Sequence, residues 1–312
     1  MAKANPKSET INEIPAACAD EAVAVEFVEK QRWGGQPHCP HCESRNVYMM
    51  KSKNGERNAR YLWKCKDCGK QYTVRIGTVF EDSRIPLRHW CYAFWRACTS
   101  KKGVSALEIS RQCQISYKSA LFLMHRIRYA MSPAVESGGK LTGTIEVDET
   151  YVGGKPRYKG TSKSGRGTRK TPVLALVERN GEVRTRPIAD VRAATLKKAI
   201  LEVADRTSRI ITDEFVSYRG IGRKFDGGHQ FVNHSAKQYV NGDITTNTVE
   251  SFFAIVKRGI NGIFHSVSKE RLPLYLGEFS FRYNTRKLDD GERTILAIRA
   301  AEGKRLMAEA ST

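Results

Sequence analysis

Four cysteines fall in two closely spaced pairs near the start of the chain, and this spacing is typical of a zinc site. The pairs are Cys39 with Cys42 and Cys65 with Cys68, and twenty-two residues separate them. Two residues between cysteines let both thiolates bind one ion, and two such pairs complete a tetrahedral shell. A shell of four protein ligands leaves no position for a substrate, so we predict one structural zinc ion per chain. The alternative, two redox pairs or disulfides, is disfavoured in a reducing cytoplasm.

A second set of residues suited to metal chemistry is acidic and widely spaced along the chain. Asp148 and Asp213 each follow a predicted strand, and Glu250 lies on a predicted helix at 247–258. Neighbouring strands are only ~4.8 Å apart, so carboxylates from two strand ends can share a metal ion. Mg²⁺, or Mn²⁺, prefers such oxygen ligands, and two ions ~4 Å apart can assist both oxygens in a phosphoryl displacement. We therefore predict a two-ion centre, although a solvated surface charge is the simpler interpretation of Asp213 taken alone.

The predicted helix at 247–258 carries further polar residues on the same stripe as Glu250. Asn247, Glu250 and Lys257 have helical spacing that places them on one face, and Lys257 could contact a phosphate. Three more acids near these positions are expected to support the ligands or to face solvent: Glu146, Glu149 and Glu214.

Around these residues the chain is predicted to form several domains. The predicted segments are an N-terminal helical segment (1–30), a zinc ribbon (31–80), a helix-turn-helix segment (85–132), a catalytic domain (140–290) and a C-terminal tail helix (291–312). In the catalytic domain, strands are predicted at 144–147, 172–178, 183–189, 209–212 and 230–233, with helices at 193–205, 247–258 and 270–287. This order indicates a mixed sheet with helices on its faces.

Local signals between the ribbon and the catalytic domain predict successive helices. Ser105 and Glu108 have the spacing of a capping box, and Ser116 is a predicted N-cap for a helix at 117–131. Helix, short turn and helix suit a helix-turn-helix that reads the major groove, although an ordinary helical linker has the same pattern. The side chains predicted to contact DNA from this segment are Lys118, Ser119 and Arg126.

The charge of the chain indicates a polyanionic partner. The formal net charge is +20, and residues 155–170 contain seven Lys or Arg and no acid. We predict that this basic loop holds double-stranded DNA through its phosphates, although a solubilising surface would also be basic. The loop residues chosen are Lys155, Lys163, Arg166, Arg169 and Lys170. No apolar run is long enough for a membrane span and the N-terminus has no apolar signal core, which predicts a cytoplasmic, nucleoid-associated protein without a membrane partner.

Several stretches resemble bacterial insertion-sequence transposases of the ISXO-like group, over roughly residues 20–300. The matching stretches are VDETYVGGK at 147–155, ITDE at 211–214, HS at 234–235, NTVESFF at 247–253, KRGI at 257–260 and FSFRYN at 279–284.

The resemblance implies an α+β multidomain protein with an N-terminal zinc ribbon and a ribonuclease-H-like, mixed α/β catalytic domain of the DDE type. It implies Asp148 and Asp213 as the first two metal ligands. Members of the group carry either Asn or Glu as the third, and this chain offers Asn247 and Glu250. Lys257 follows Glu250 by seven residues, the usual offset in DDE enzymes, which favours Glu250.

The function implied is transposition of an insertion sequence. Water attacks the element end and frees a 3′-hydroxyl, which then attacks target DNA, with a homo-oligomer expected on the DNA. Two alternatives stay open, a zinc-ribbon and helix-turn-helix regulator with an inactive catalytic domain, and a ribonuclease-H-like nuclease without strand transfer. Inverted repeats flanking the gene would favour transposition over both.

Overall fold

A computed structural model describes residues 10–132, 139–153, 170–233, 235–236, 240 and 242–306. The chain divides into two compact units. The N-terminal unit comprises Met1–Met131 and Leu288–Thr312, and the sheet unit comprises Ser132–Lys287. No helix in the described part of the chain is both long and apolar enough to cross a membrane. The domain boundaries predicted from the sequence stay predictions.

The N-terminal unit begins with two helices, α1 (Thr10–Ala19) and α2 (Glu21–Trp33). Asp20 caps α2 by accepting a hydrogen bond from the Val23 amide at 3.0 Å. The helix ends at Gly34, whose φ of +57° is a left-handed conformation that favours glycine.

A small antiparallel sheet follows α2 and forms the ribbon. Its strands are β1 (Val47–Met49), β2 (Trp63–Cys65) and β3 (Gln71–Tyr72), in that order. Glu29 on α2 accepts hydrogen bonds from Trp63 Nε1 at 2.8 Å and from Arg57, which ties the ribbon to the helix.

The predicted helical segment forms three helices, α3 (Leu87–Thr99), α4 (Ala106–Cys113) and α5 (Tyr117–Met131). Ser105 caps α4 as expected, but the Glu108 carboxylate bonds Arg96 at 2.6 Å instead of completing a capping box. The last helix in the described part of the chain, α9 (Asp290–Arg299), packs against α3, and Arg293 Nη1 donates to the Cys98 carbonyl at 3.1 Å.

The sheet unit is built on a mixed sheet whose described strands are ordered β6–β5–β4–β7–β8. The strands are β4 (Thr144–Val152), β5 (Thr171–Glu178), β6 (Val183–Pro187), β7 (Arg209–Thr212) and β8 (His229–Phe231). β4, β5 and β6 are antiparallel neighbours, whereas β7 and β8 run parallel to β4. β5 and β6 form an antiparallel hairpin that turns at Asn180, which adopts φ +60°.

β4 is longer than predicted, and the predicted position of Asp148 at its end is wrong. The antiparallel pairing with β5 continues from Ile145 to Val152 and places Asp148 opposite Ala175. The parallel pairing with β7 is shorter and stops at Glu146 opposite Ile211. Asp148 therefore lies in the middle of β4 but beyond the end of its parallel neighbour.

Helices cover both faces of this sheet. One apolar cluster joins Ile145, Val147 and Leu176 to α6 (Ala193–Val203). The other joins Val173, Ala175 and Val177 to α7 (Asn247–Gly259) and α8 (Leu272–Asn284). Because side chains alternate along a strand, β4 directs Val147 to the α6 side, and Glu146 and Asp148 to the α7 side. The α+β architecture and the mixed sheet match the fold expected from the resemblance.

Candidate active site and zinc centre

The four ribbon cysteines converge on one point. Their Sγ atoms all lie within 4.8 Å of one another, with 3.6 Å between Cys39 and Cys68 and 3.7 Å between Cys42 and Cys65. Tetrahedral zinc with Zn–S bonds of ~2.3 Å separates its sulfurs by ~3.8 Å, so this set fits the ion. All four are free thiols.

Hydrogen bonds within the two knuckles shift the pKa of one ribbon thiol and join the knuckles to each other. A hydrogen bond from the Cys68 amide lowers the pKa of Cys65 to about 7, although desolvation opposes it. Asp67 in the second knuckle accepts hydrogen bonds from Ser44 and from Asn46 Nδ2, the latter at 2.8 Å. The contacts of Asp67 join the two knuckles, and the lowered pKa of Cys65 favours its thiolate.

An aromatic cluster supports the ribbon beside the thiols. The ring of Trp33 meets Trp63 edge-on at 5.6 Å between centroids and Tyr72 at 6.2 Å. The ring centroid of Tyr61 lies 5.2 Å from the Arg57 guanidinium carbon. The remaining cysteines behave as apolar residues, since Cys91, Cys98 and Cys113 are buried and Cys18 is half-buried.

Asp148 and Asp213 occupy equivalent positions on neighbouring parallel strands. Glu146 on β4 pairs with Ile211 on β7, and each aspartate follows its strand's paired residue by two positions. The Asp148 carboxylate accepts from the Glu149 amide at 2.8 Å, and Asp213 accepts from the Phe215 amide at 3.0 Å. The sheet register therefore places the two carboxylates at the same edge of the parallel pair.

The third group of residues lies on α7, whose apolar face packs on the sheet. Its buried apolar residues are Val249, Phe252, Phe253 and Val256. Asn247, Glu250 and Lys257 are all exposed, and the Glu250 carboxylate accepts a hydrogen bond from the Thr246 hydroxyl at 2.6 Å. The helix thus presents both candidate third ligands in its first turn, where its dipole favours negative charge.

The pKa of Asp148 depends on burial and on acidic residues from β4, from the segment after β7 and from α7. Burial raises the pKa of Asp148 to about 8, and the carboxylates of Glu149, Asp213 and Glu250 add to the increase. A hydrogen bond from the Glu149 amide opposes it. Carboxylates are the oxygen ligands that Mg²⁺ prefers, and a divalent cation would relieve their repulsion, so the donor set fits such an ion. Among the described residues, however, only the four cysteines bring three or more ligand atoms as close as a bound ion requires.

Two of the neighbouring acids have partners that the sequence did not reveal. Glu149 accepts a hydrogen bond from the hydroxyl of Tyr218, a fully buried residue whose pKa burial and Glu149 raise well above its usual range. Glu214 accepts from the Ser235 hydroxyl at 2.7 Å. Nothing in the sequence pattern indicates the contact with Tyr218, which lies in a short 3-10 turn after β7.

Glu146 is the third such acid, and the expectation that it could face solvent is wrong. Its side chain is fully buried. It accepts hydrogen bonds from Arg179 Nε at 2.8 Å, from the Thr248 amide at 2.8 Å and from the Val249 amide at 3.1 Å. Its position between apolar residues of a strand was the signal for an internal partner, because a buried carboxylate requires one.

The three residues of the helix-turn-helix segment that were predicted to contact DNA differ in solvent exposure. Lys118 is exposed, and Ser119 is half-buried beside the Ser116 hydroxyl at 2.9 Å. Arg126 is only 4% exposed and donates to the carbonyls of Val79, at 2.8 Å, and Glu81. The prediction that Arg126 contacts DNA is therefore wrong, because α5 is buried on two sides rather than along one stripe.

Most of the predicted basic loop lies outside the described residues. This applies to Lys155, Lys163, Arg166 and Arg169. Lys170 is described as half-buried, and its side chain lies against Gly153.

Comparison with known proteins gives matches over both units. Residues 140–284 match the family model described as "ISXO2-like transposase domain", and residues 19–71 match "Transposase zinc-ribbon domain". The uncharacterized protein in transposable element ISH50 of Halobacterium salinarum is 31% identical over 278 residues, covering 84% of this chain and 90% of that protein.

Solved structures give weaker matches. The pre-cleavage Mos1 transpososome is 12% identical, with a TM-score of 0.27 over 97% of this chain and all of the other. The Mos1 strand transfer complex is 12% identical, with a TM-score of 0.23 over 65% of this chain and 75% of the other. Scores this low do not establish a shared architecture.

Proposed function

The chain belongs to the ISXO2-like transposase family, and on that premise we propose that the acidic centre of the sheet unit cuts element ends and joins them to target DNA. One observation carries the proposal. The sheet register puts Asp148 on β4 and Asp213 after β7 at one edge of the parallel pair, and α7, which carries Glu250, packs on the face of the sheet from which Asp148 projects. Residues far apart in the sequence therefore contribute to one acidic centre.

The proposed reaction consists of two displacements at phosphorus. A water oxygen attacks the phosphodiester at the element end, and the P–O bond to the departing 3′-oxygen breaks. The free 3′-hydroxyl then attacks a target phosphodiester, which forms the new strand and releases the target's own 3′-hydroxyl. Each displacement makes one P–O bond and breaks another, so no oxidant or additional group is required.

In this proposal Asp148, Asp213 and Glu250 hold Mg²⁺ or Mn²⁺, with two ions expected per site. The bound ions would supply charge for the attacking and leaving oxygens. Lys257, exposed on the same helix as Glu250, contacts a DNA phosphate. Asn247, at the start of α7, supports Glu250 or replaces it as the third ligand.

DNA is held by the basic surfaces of the chain, in our proposal as a homo-oligomer at the paired element ends. Lys118 and Ser119 in the N-terminal unit and the basic loop at 155–170 contribute phosphate contacts. Neutralising Lys163, Arg166, Arg169 and Lys170 together should reduce the dependence of affinity on salt concentration. An unchanged slope of log affinity against log salt would indicate that the loop is a solvated surface that does not hold DNA.

A cleavage assay on a labelled element end tests the function. Wild-type protein with Mg²⁺ should release the 3′-hydroxyl end and join it to a target plasmid, and Asp148→Asn should do neither while binding the end almost normally. Cleavage without joining would identify a nuclease, and binding without cleavage by the wild type would identify a regulator. Either outcome would refute the proposed transposition chemistry.

A further inference from the structure

We propose that Glu146 and Arg179 form a clamp that fixes α7 against β4 and thereby sets the position of the third acidic ligand relative to Asp148. This inference rests on the proposed function of the acidic centre. Neither residue would touch the metal or DNA, so both are positioning residues.

The clamp begins with a carboxylate that has no solvent exposure. From described neighbours, Glu146 accepts four hydrogen bonds. Three come from the first turn of α7, through the Thr248 amide, the Thr248 hydroxyl at 3.0 Å and the Val249 amide. The first amides of a helix have no partner within the helix, so a strand carboxylate at this point both satisfies them and complements the helix dipole.

Arg179 extends the clamp to the segment that precedes α7. Its Nε donates to Glu146, while Nη1 donates to the Asp243 carbonyl at 2.7 Å and Nη2 to the Thr245 carbonyl at 3.0 Å. Arg179 follows β5 directly, and its amide donates to the Thr144 carbonyl of β4 at 2.9 Å. One side chain therefore ties the start of α7 to the sheet at two further points.

The position of the clamp explains why it would matter for the chemistry. Glu146 precedes Asp148 by two residues on the same strand, so both side chains leave the same face of β4. Glu250 directly follows the two α7 amides that Glu146 binds. A shift of α7 along the sheet would therefore alter the spacing between Asp148 and Glu250 or Asn247, and Mg²⁺ requires near-ideal ligand geometry.

Three substitutions loosen the clamp to different extents. Thr248→Val removes the hydroxyl hydrogen bond alone. Arg179→Lys removes the guanidinium group that bonds Glu146 and two carbonyls. Glu146→Gln replaces the carboxylate by an amide, whose NH₂ group would face hydrogen-bond donors. Glu182→Gln is the matched control, because Glu182 forms an exposed ion pair with Arg184 at 2.8 Å in the same hairpin. Glu146→Asp is the conservative variant and should restore part of the lost activity.

The experiment combines kinetics with hydrogen exchange by mass spectrometry in the absence of added Mg²⁺. We expect Arg179→Lys and Glu146→Gln to lower kcat ~10–100-fold, because small misplacements of reacting groups have effects of that order, while KM for DNA stays unchanged. Amides at 247–250 should exchange faster, exchange in β4 should stay slow, and the Mg²⁺ concentration for half-maximal rate should rise. Glu182→Gln should match the wild type in each measurement.

The outcomes separate this inference from the proposed function. If Glu250→Gln and Asn247→Ala both cut like the wild type, the proposed acidic centre is wrong. The clamp is wrong and the centre stands under two conditions. At least one of Glu250→Gln and Asn247→Ala must be inactive, while Arg179→Lys and Thr248→Val, both folded, keep the wild-type kcat, Mg²⁺ requirement and exchange at 247–250. Thr248→Val keeps the test decisive if Glu146→Gln fails to fold.

An independent observation concerns the outer face of the ribbon sheet, which we propose contacts the phosphates of double-stranded DNA. Tyr48 on β1 pairs with Lys64 on β2, which pairs with Gln71 on β3, so these side chains share one face. Tyr48 is 41% exposed, and Lys66 Nζ lies 5.9 Å from its ring centroid. The opposite face carries the aromatic cluster of Trp33, so these four side chains lie on the side of the ribbon sheet away from that cluster.

Charge and donor chemistry identify the partner. The four side chains offer two ammonium groups, a phenol and an amide, all of which donate hydrogen bonds to phosphate oxygens. The four side chains together carry two positive charges and no negative charge, which favours an anionic partner for this face. These contacts would position DNA rather than read its sequence.

Binding measured by fluorescence anisotropy over a salt series tests this face without requiring cleavage. Lys64→Ala with Lys66→Ala should lower the slope of log affinity against log salt by about 2 and weaken different DNA sequences equally. Tyr48→Leu should weaken binding with little change in slope. Lys51→Ala with Lys53→Ala removes equal charge from the ribbon turn, and the proposal fails if this control changes the slope as much, or if bound zinc is lost in the test variant.

Discussion

Asp148 on β4 and Asp213, which directly follows β7, stand at matched positions along two adjacent parallel strands, each two residues beyond the last pair, Glu146 with Ile211. The relationship depends on sheet register, so it does not require either side chain to have a particular partner. It also concentrates negative charge at one edge of the sheet. The first two predictions follow from that charge and from its third contributor.

Asp148→Asn should stabilise the protein in the absence of added divalent metal. The pKa of Asp148 is raised to about 8 by burial and nearby carboxylates, whereas an unfolded aspartate titrates near ~4. The folded state therefore binds the proton more tightly, and stability contributed by the protonated group is lost as pH rises from ~4 to 8. We expect the variant to gain about 1–3 kcal/mol in unfolding free energy at pH 8 and less at pH 5.

Chemical denaturation at the two pH values measures this gain, with zinc left in the ribbon and no chelator present. Asp226→Asn, at an exposed position, is the control and should show no such pH dependence. Equal stability of Asp148→Asn and wild type at pH 8 would contradict the repulsion inferred here.

Glu250→Gln and Asn247→Ala should differ in cleavage. A carboxylate brings charge as well as oxygen to Mg²⁺, so we expect Glu250→Gln to abolish cleavage and Asn247→Ala to reduce it less. Thermal shift on addition of Mn²⁺ gives a second measure, which should be lost in Glu250→Gln. The reverse pattern, an active Glu250→Gln and an inactive Asn247→Ala, would assign the third ligand to the amide.

Cys65→Ser should lower bound zinc from about one ion per chain and unfold the ribbon, because a segment this small has little core of its own. Hydrogen exchange should increase around 39–72 while β4 stays protected. Cys18→Ser is the control, since Cys18 is half-buried and belongs to neither pair. Metal analysis of protein never exposed to chelator decides the matter, and zinc near zero in the wild type would exclude the site.

Arg126→Ala and Lys118→Ala should separate stability from DNA binding on the same helix. Removing the buried guanidinium leaves the carbonyls of Val79 and Glu81 without this donor, which should cost about 2–4 kcal/mol in unfolding free energy. Lys118→Ala should leave the melting temperature unchanged and weaken DNA binding. A stable Arg126→Ala with reduced DNA affinity would restore the original prediction for Arg126.

The limits of a helix or strand were predicted well where residues adjacent in sequence determine them. The limits of β7 at 209–212 and of α5 at 117–131 agree with prediction, because alternation and an N-cap serine are read from adjacent residues. The length of β4 was underestimated because it depends on pairing with β5. The sequence of β4 alone contains polar residues from Asp148 onward and gives no sign of that partner.

The sequence suggested the principal acids of the proposed site, whose roles stay predictions, but not the residues that surround them. Asp148, Asp213 and Glu250 were chosen from residue type, strand and helix position, and the resemblance. Arg179 could not be chosen in this way, because its role depends on three acceptors distant in sequence from it. Arg126 was misassigned for the related reason that burial on a second side of a helix depends on what packs there.

The packing of α9 against α3 affects the order in which the chain can fold during synthesis. The sheet unit is inserted between the two parts of the N-terminal unit, and the last helix of that unit is made last. The ribosome therefore releases the described strands of the sheet before α3 can pack against α9. A nascent chain can fold its sheet unit while its N-terminal unit still lacks this helix.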